Sequence, residues 1–305
     1  MFLSFCGNSP WLQPGAGPAA DPGEEYSFPY RLDRPDGEFI LPSYLQEISG
    51  LSYFGENRLA CIQDEKANIY LIDLQDGPRI SKHDFGKDGD YEDIALVGQT
   101  AYVLRNDGRV YRVKHFDSHK LKTKDYSTPL SERNNAEGME YDPQTNSLLI
   151  ACKGSPSIGK DNPFKGSRAV YRFDLESKKL IREPFLLIDL EKLDRYRDQG
   201  TFIKFSTTVA KRLRLLDSET PFMPSGISIH PLSGDIYLIS SIGKLLVVTD
   251  RLGRILDIQD LDRELFRQPE GICFSPDGDL YISSEGKGGK GYILKFKSQT
   301  NEPDR

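Results

Sequence analysis

No stretch of this 305-residue chain approaches the roughly 18 uninterrupted apolar residues that a membrane-spanning helix needs. A surplus of basic charge is missing too. Lys and Arg number 40 against 46 Asp and Glu, a net charge of −6, so the surface repels phosphate backbones and nucleic-acid binding is not expected without a local basic patch. Cysteine is scarce. Cys61, Cys152 and Cys273 each lie in an apolar strand-like run with no CxxC or Cys/His spacing. That argues against a zinc site or a complete disulfide framework and leaves buried, inert thiols. Histidine is limited to His83, His115, His119 and His230. His115 and His119 have a helical metal spacing but sit at a strand end and in a loop with no third ligand nearby, and read as exposed. A GxSxG elbow, an HExxH, a P-loop and a GxGxxG in strand-to-helix context are all absent, so no nucleophile–base arrangement is visible. What is present, 37% hydrophobic and 28% charged residues, suffices for a packed core.

The N-terminus stands apart. Met1–Cys6 is a short apolar run ending in Cys6, similar to the tail of a bacterial lipoprotein signal in which the cysteine becomes lipidated. Residues 7–25 hold four Pro and four Gly, which suits an extended tether or a frayed terminus. Residues 1–25 are therefore read as an anchor and tether, 26–297 as the folded body and 298–305 as a tail.

From residue 47 onward the chain repeats. Glu47-Ile48-Ser49-Gly50, Glu92-Asp93-Ile94 and Glu137-Gly138-Met139 start 45 residues apart, as do Ser225-Gly226-Ile227 and Glu270-Gly271-Ile272. A period of about 40–45 residues built of short strands marks propeller blades. Within the period come tight turns, such as Ser275-Pro276-Asp277-Gly278, and alternating strands such as DLYISSE. Third strands follow as ANIYLIDL, GRVYRVKHF, RAVYRFDL, KLLVVTD and GYILKF, five in number. The 88-residue gap between Glu137 and Ser225 is then one blade enlarged by insertions near 154–167 and 189–223. The second insertion has helical spacing and carries Lys204, Lys211, Arg212 and Arg214; it reads as a solvated helix face, or as a cover for one mouth or a contact to an anionic surface. Six blades is the alternative count. The fold expected is all-β, a five-bladed β-propeller of four-stranded antiparallel blades. The last blade lacks a fourth strand after Phe296, and docking residues 26–33 there would close the ring by an N-terminal strand.

The set LQEISGLSY, DYEDIAL, NNAEGMEYDP, PSGISIHPLSGDIYLISS and QPEGICFSPDGDLYISSEG resembles the SdiA-regulated family over roughly residues 26–297. The resemblance implies a five-bladed propeller, distantly similar to NHL-repeat propellers, with a calcium ion in the fold. It implies no reaction. The sequence departs from relatives in Ala151-Cys152-Lys153-Gly154, where an acidic residue is usual, and in Ser225, which replaces Glu at one blade start.

The acids suggest an ion independently. First strands line a propeller's channel, so Glu47, Glu92, Glu137 and Glu270 should gather near the axis. Four carboxylates there need protons or a counter-cation. Calcium, with six to eight oxygen ligands in flexible geometry, suits such a ring better than magnesium. The alternative is that each Glu holds backbone N–H groups of a neighbouring blade with no ion. Asp93, Glu140, Ser225 and Glu285 are weaker candidates for the metal or the mouth, and strand alternation turns Asp93 away from the channel side of Glu92. The functional expectation is a calcium-binding propeller of the bacterial cell envelope, periplasmic or lipid-anchored through Cys6. It would act as a binding module for a small ligand or protein at one mouth. The alternative is a calcium-dependent hydrolase of phosphoesters or lactones, for which basic residues or a His facing the ion would be the mark.

Overall fold

The structure, a computed structural model, describes residues 26–75, 79–118, 120–199 and 222–299. Its strands form five four-stranded sheets. After β1 (Gly37–Ile40), blade 1 comprises β2 (Ile48–Tyr53), β3 (Arg58–Gln63), β4 (Asn68–Asp73) and β5 (Arg79–Asp84). Blade 2 follows as β6 (Tyr91–Val97), β7 (Thr100–Arg105), β8 (Val110–Lys114) and β9 (Lys122–Tyr126). Blade 3 is β10 (Ala136–Asp142), β11 (Ser147–Cys152), β12 (Ser167–Asp174) and β13 (Lys179–Asp189). Blade 4 is β14 (Met223–Ile229), β15 (Ile236–Ile242), β16 (Leu245–Thr249) and β17 (Ile255–Asp260). Blade 5 is β18 (Pro269–Phe274), β19 (Leu280–Ser284), β20 (Tyr292–Phe296) and then β1. The five first strands touch their neighbours in a closed ring, β18 meeting β2. Five blades, not six, is the count.

Burial explains the layering. Second strands are buried almost throughout, whereas β5 and β9 at the outer edge are mostly exposed. Both faces of an inner strand pack on neighbouring blades, so those strands read as apolar runs, and the core divides into five clusters, one per blade junction. Cys61, Cys152 and Cys273 are buried free thiols within two of these clusters.

An N-terminal strand does close the ring, but further along than 26–33. Glu38 pairs with Leu294 and Phe39 with Ile293, so the closing strand is β1. Residues 26–32 instead pack over the junction of blades 4 and 5, where the Tyr30 hydroxyl donates to the Gly278 carbonyl at 2.6 Å and the Tyr26 and Tyr237 hydroxyls lie 2.7 Å apart. The aromatic residues that suggested a strand there are used for this packing, and Pro29 lacks the N–H a ladder needs. Removing residues 1–40 should therefore lower the Tm by about 10 °C or more relative to removing 1–24, since it uncovers an edge and the Tyr30 and Leu32 contacts. Equal melting temperatures in calorimetry would refute this closure.

Both insertions leave blade 3 at the same end, the end where every first strand begins. The loop between β11 and β12 is ordered by buried Asn134, whose amide donates to the carbonyls of Ser155 and Ser157 at 2.9 Å. The second insertion opens with α1 (Leu190–Gln199). Asp189 caps it by accepting from the N–H groups of Glu191 and Lys192, and the Tyr196 hydroxyl docks it on the Leu256 carbonyl of blade 4. Lys204, Lys211, Arg212, Arg214 and Cys6 lie outside the described residues.

Candidate functional site: an acidic mouth

Each first strand carries a β-bulge at the same place. Ile48, Tyr91, Ala136, Pro224 and Pro269 pair with Gln63, Arg105, Cys152, Ser240 and Ser284, and the residue after each is the extra one. The bulge tier is therefore Ser49, Glu92, Glu137, Ser225 and Glu270. This corrects the register of Glu47, which the 45-residue spacing had aligned with Glu92. The first blade start is two residues shorter, so Glu47 falls in the preceding tier beside Asp90, Asn135 and Gln268. A third tier is the residue after each of those second-strand partners: Asp64, Asn106, Lys153, Ser241 and Glu285. The three tiers rim one mouth.

Glycine beside the bulge lets the blades meet. A Cβ on Gly226 would stand 2.4 Å from the Glu270 carbonyl oxygen, and one on Gly271 2.5 Å from that of Ser49. Neither backbone contact could yield.

The mouth gathers acids. Burial pushes Glu270 up to about 8, opposed by Lys153 and reinforced by Glu137 and Glu285. Glu92, raised by burial and then by Glu137 and Asp90, goes higher still, to about 9. Across the mouth, burial followed by Asp64 and Glu47 brings Glu285 to about 7, and burial with Glu47 brings Asp64 to about 6. Glu92 and Glu270 thus hold protons at neutral pH. One ammonium sits among them: Lys153 Nζ is 3.0 Å from Glu137 Oε1, which also accepts from the Asn135 amide at 2.7 Å. Burial works against the Lys153 charge, but Glu137, Glu270 and Glu92 together hold its pKa above the usual range. Burial raises the Glu137 pKa, although Lys153 and Asn135 pull it down.

Lys244, at the rim, donates to the carbonyls of Ser241 and Arg267 at 2.7 and 2.8 Å; burial and Lys287 bring it down to about 8, opposed by Glu270 and Glu285. Ser225 does not face the acids. Its hydroxyl donates to the Pro269 carbonyl at 2.9 Å and joins blade 4 to blade 5. A separate cavity of about 490 Å³ beside the mouth is lined by Arg109, Thr128, Ser131 and Arg133, away from the axis.

Asp93 departs from simple alternation. The bulge at Glu92 resets the pleat, and Asp93 is buried at the axis instead of pointing away from it. Its Oδ2 accepts from Met139 N–H of blade 3 at 2.6 Å, its Oδ1 from Ile94 N–H at 2.8 Å, and it bonds Leu51 N–H of blade 1. Glu140 accepts from the Ser228 hydroxyl of blade 4 at 2.6 Å and from Tyr141 N–H at 2.7 Å. These two acids staple neighbouring first strands, the hydrogen-bonding role considered for the blade-start glutamates. Nothing in the repeat spacing marked Lys153 or Asp64 as mouth residues; their place just after a second strand could have.

Among the described residues no three His, Cys, Asp or Glu side chains converge tightly enough to enclose a metal ion. Asp64 Oδ1 is nonetheless buried without a hydrogen-bond partner, on the side of the mouth shared with Glu47 and Glu285. Hard oxygen donors with one orphaned oxygen fit a calcium ion there. The Glu92–Glu137–Glu270 side fits less well, because Lys153 already supplies a cation.

Comparison with known proteins agrees on the fold. A search of curated protein sequences finds no match. Among solved structures, Myxococcus xanthus glutaminyl cyclase is similar with a TM-score of 0.52 and 12% identity, over 87% of this chain and 95% of that one. The PQQ-bound aldose sugar dehydrogenase of Streptomyces coelicolor gives 0.51 and 14%, over 87% and 99%. At such identity the likeness is one of fold alone. The SdiA-regulated family profile matches residues 38–222 and 182–287. With that match spanning most of a five-bladed ring, the chain belongs to the SdiA-regulated family.

Proposed function

We propose that the acidic mouth holds a divalent cation, calcium by its donor chemistry, and that the protein is a non-catalytic binding module presenting this mouth to a small ligand or protein partner. The reading is carried by one observation: Glu47, Asp64, Asp90, Glu92, Glu137, Glu270 and Glu285 act on one another across one mouth, with Lys153 the ammonium among them. Glu47, Asp64 and Glu285 would hold the ion, with water completing its shell. Calcium tolerates such mixed, irregular oxygen sets, whereas magnesium demands a near-ideal octahedron. The loop between β11 and β12 and the start of α1 leave blade 3 at the end of this mouth and would shape what it accepts.

Calcium at about a hundred times its Kd should stabilise the fold by about 2.7 kcal/mol. Melting curves with calcium and with chelator measure this, and Asp64→Asn should remove most of the difference. Identical curves for the wild-type protein would overturn the reading.

A calcium-dependent hydrolase of phosphoesters or lactones is the second reading. It is favoured by the Lys153 ammonium beside glutamates that hold protons near neutrality. No His lies at the mouth among the described residues. Turnover of any chromogenic ester, lactone or phosphoester that needs calcium and is lost in Asp64→Asn would favour this reading over the first. We place the protein in the bacterial cell envelope, anchored through Cys6; Cys6→Ala should then abolish partition into detergent after expression in cells with a lipoprotein pathway.

A further inference from the structure

We infer that Lys153 is a tethered cation that fills one half of the mouth, confines a divalent ion to the other half, and sets how tightly that ion is held. The inference rests on the ion site proposed above. Lys153 occupies, on blade 3, the place taken by Asp64 on blade 1 and Glu285 on blade 5, so one tier of the rim carries acid on one side and base on the other. The main chain that carries it is fixed on both sides. Lys153 N–H donates to the Asn135 carbonyl and Gly154 N–H to that of Asn134, both at 2.9 Å. A Cβ on Gly154 would stand 2.5 Å from the Arg133 carbonyl oxygen, so the chain passes where only glycine fits. The Lys153 side chain is 18% exposed and that of Glu137 8%, so the pair is shielded from solvent. Glu92 and Glu270 act on the same ammonium. A second cation in this half would displace Lys153 from Glu137 or meet its charge at close range. Towards Asp64 its reach fades: it is the last of the influences on Glu285 and none on Asp64, whose Oδ1 lacks a partner.

Neutralising Lys153 should thus open the Glu92–Glu137–Glu270 half and relieve repulsion of an ion in the other. Calorimetric titration with calcium chloride tests this on the wild-type chain, Lys153→Met and Lys153→Arg. The neutral variant should bind calcium about tenfold or more tightly, or take up a second equivalent, while Lys153→Arg stays near wild type. Lys153→Gln provides a second neutral variant should Lys153→Met fail to fold. Wild-type binding that is unchanged in both stoichiometry and Kd in the neutral variant would overturn the inference and leave the ion site standing. Binding by the neutral variant but not by wild type would overturn the wild-type ion site and, with it, the claim that Lys153 confines an ion to the other half. No binding by either would overturn both.

Discussion

Replacing Asp93 with alanine should destabilise the propeller by about 3 kcal/mol or more, while Glu92→Gln, one residue away, should not destabilise it at all. Asp93 accepts hydrogen bonds from Met139, Ile94 and Leu51, N–H groups of three blades that meet at its buried carboxyl. Alanine removes every acceptor at once. The N–H groups are left buried and unpaired, and a gap opens where Gly50 approaches the Asp93 carboxyl. Asparagine should rescue only in part, since its amide offers one acceptor oxygen and turns N–H groups toward other donors. Glu92 staples nothing; it is held protonated against its neighbours, and glutamine removes that conflict. Denaturant unfolding of the two variants checks the contrast. If both lose stability equally, the axial staple is not what joins blades 1 to 3.

The second large effect is a loss of stability as pH rises. Glu140 titrates at about 7 and Glu270 at about 8 in the folded chain, both raised first by burial. In the unfolded chain a glutamate titrates near 4.3. A group whose folded pKa is raised contributes stability that is fully present below the unfolded value and lost as pH climbs through the folded one. Without metal, stability should therefore fall between about pH 4.5 and pH 9, by about 3 kcal/mol or more from these two buried groups together. Glu285 and Asp64 push the same way. Calcium should flatten the slope, because a bound cation favours the ionised acids in place of protons. A Tm that rises from pH 5 to pH 9 in chelator would contradict this sign.

The ring and its blade count were legible because a propeller repeats its hydrophobic pattern once per blade, and five third strands can be counted from ANIYLIDL to GYILKF. The closing strand was harder to place. Tyr26, Phe28 and Tyr30 have strand-like composition but are spent on the junction of blades 4 and 5, while the short GEFI segment makes the ladder. Period counting also misplaced Glu47 by two residues, because a single bulge in each first strand, not the loop length, fixes which side chain reaches the mouth. The same bulge sent Asp93 to the axis. Lys153 lies in the Ala151-Cys152-Lys153-Gly154 stretch that departs from the family pattern, but its contact with Glu137 depends on β11 ending beside the start of β10. Alternation within one strand carries no such information.

The central claim is that this mouth exchanges protons for a divalent ion. It is tested most directly by titrating calcium at pH 6.5, where Asp64 and Glu285 together hold about one proton, into the wild-type chain in two buffers of different ionisation enthalpy. The account predicts binding with release of about one proton or more per ion, reported as a buffer-dependent heat that disappears in Asp64→Asn. Binding heat that is the same in both buffers, or no binding heat at all, would contradict it.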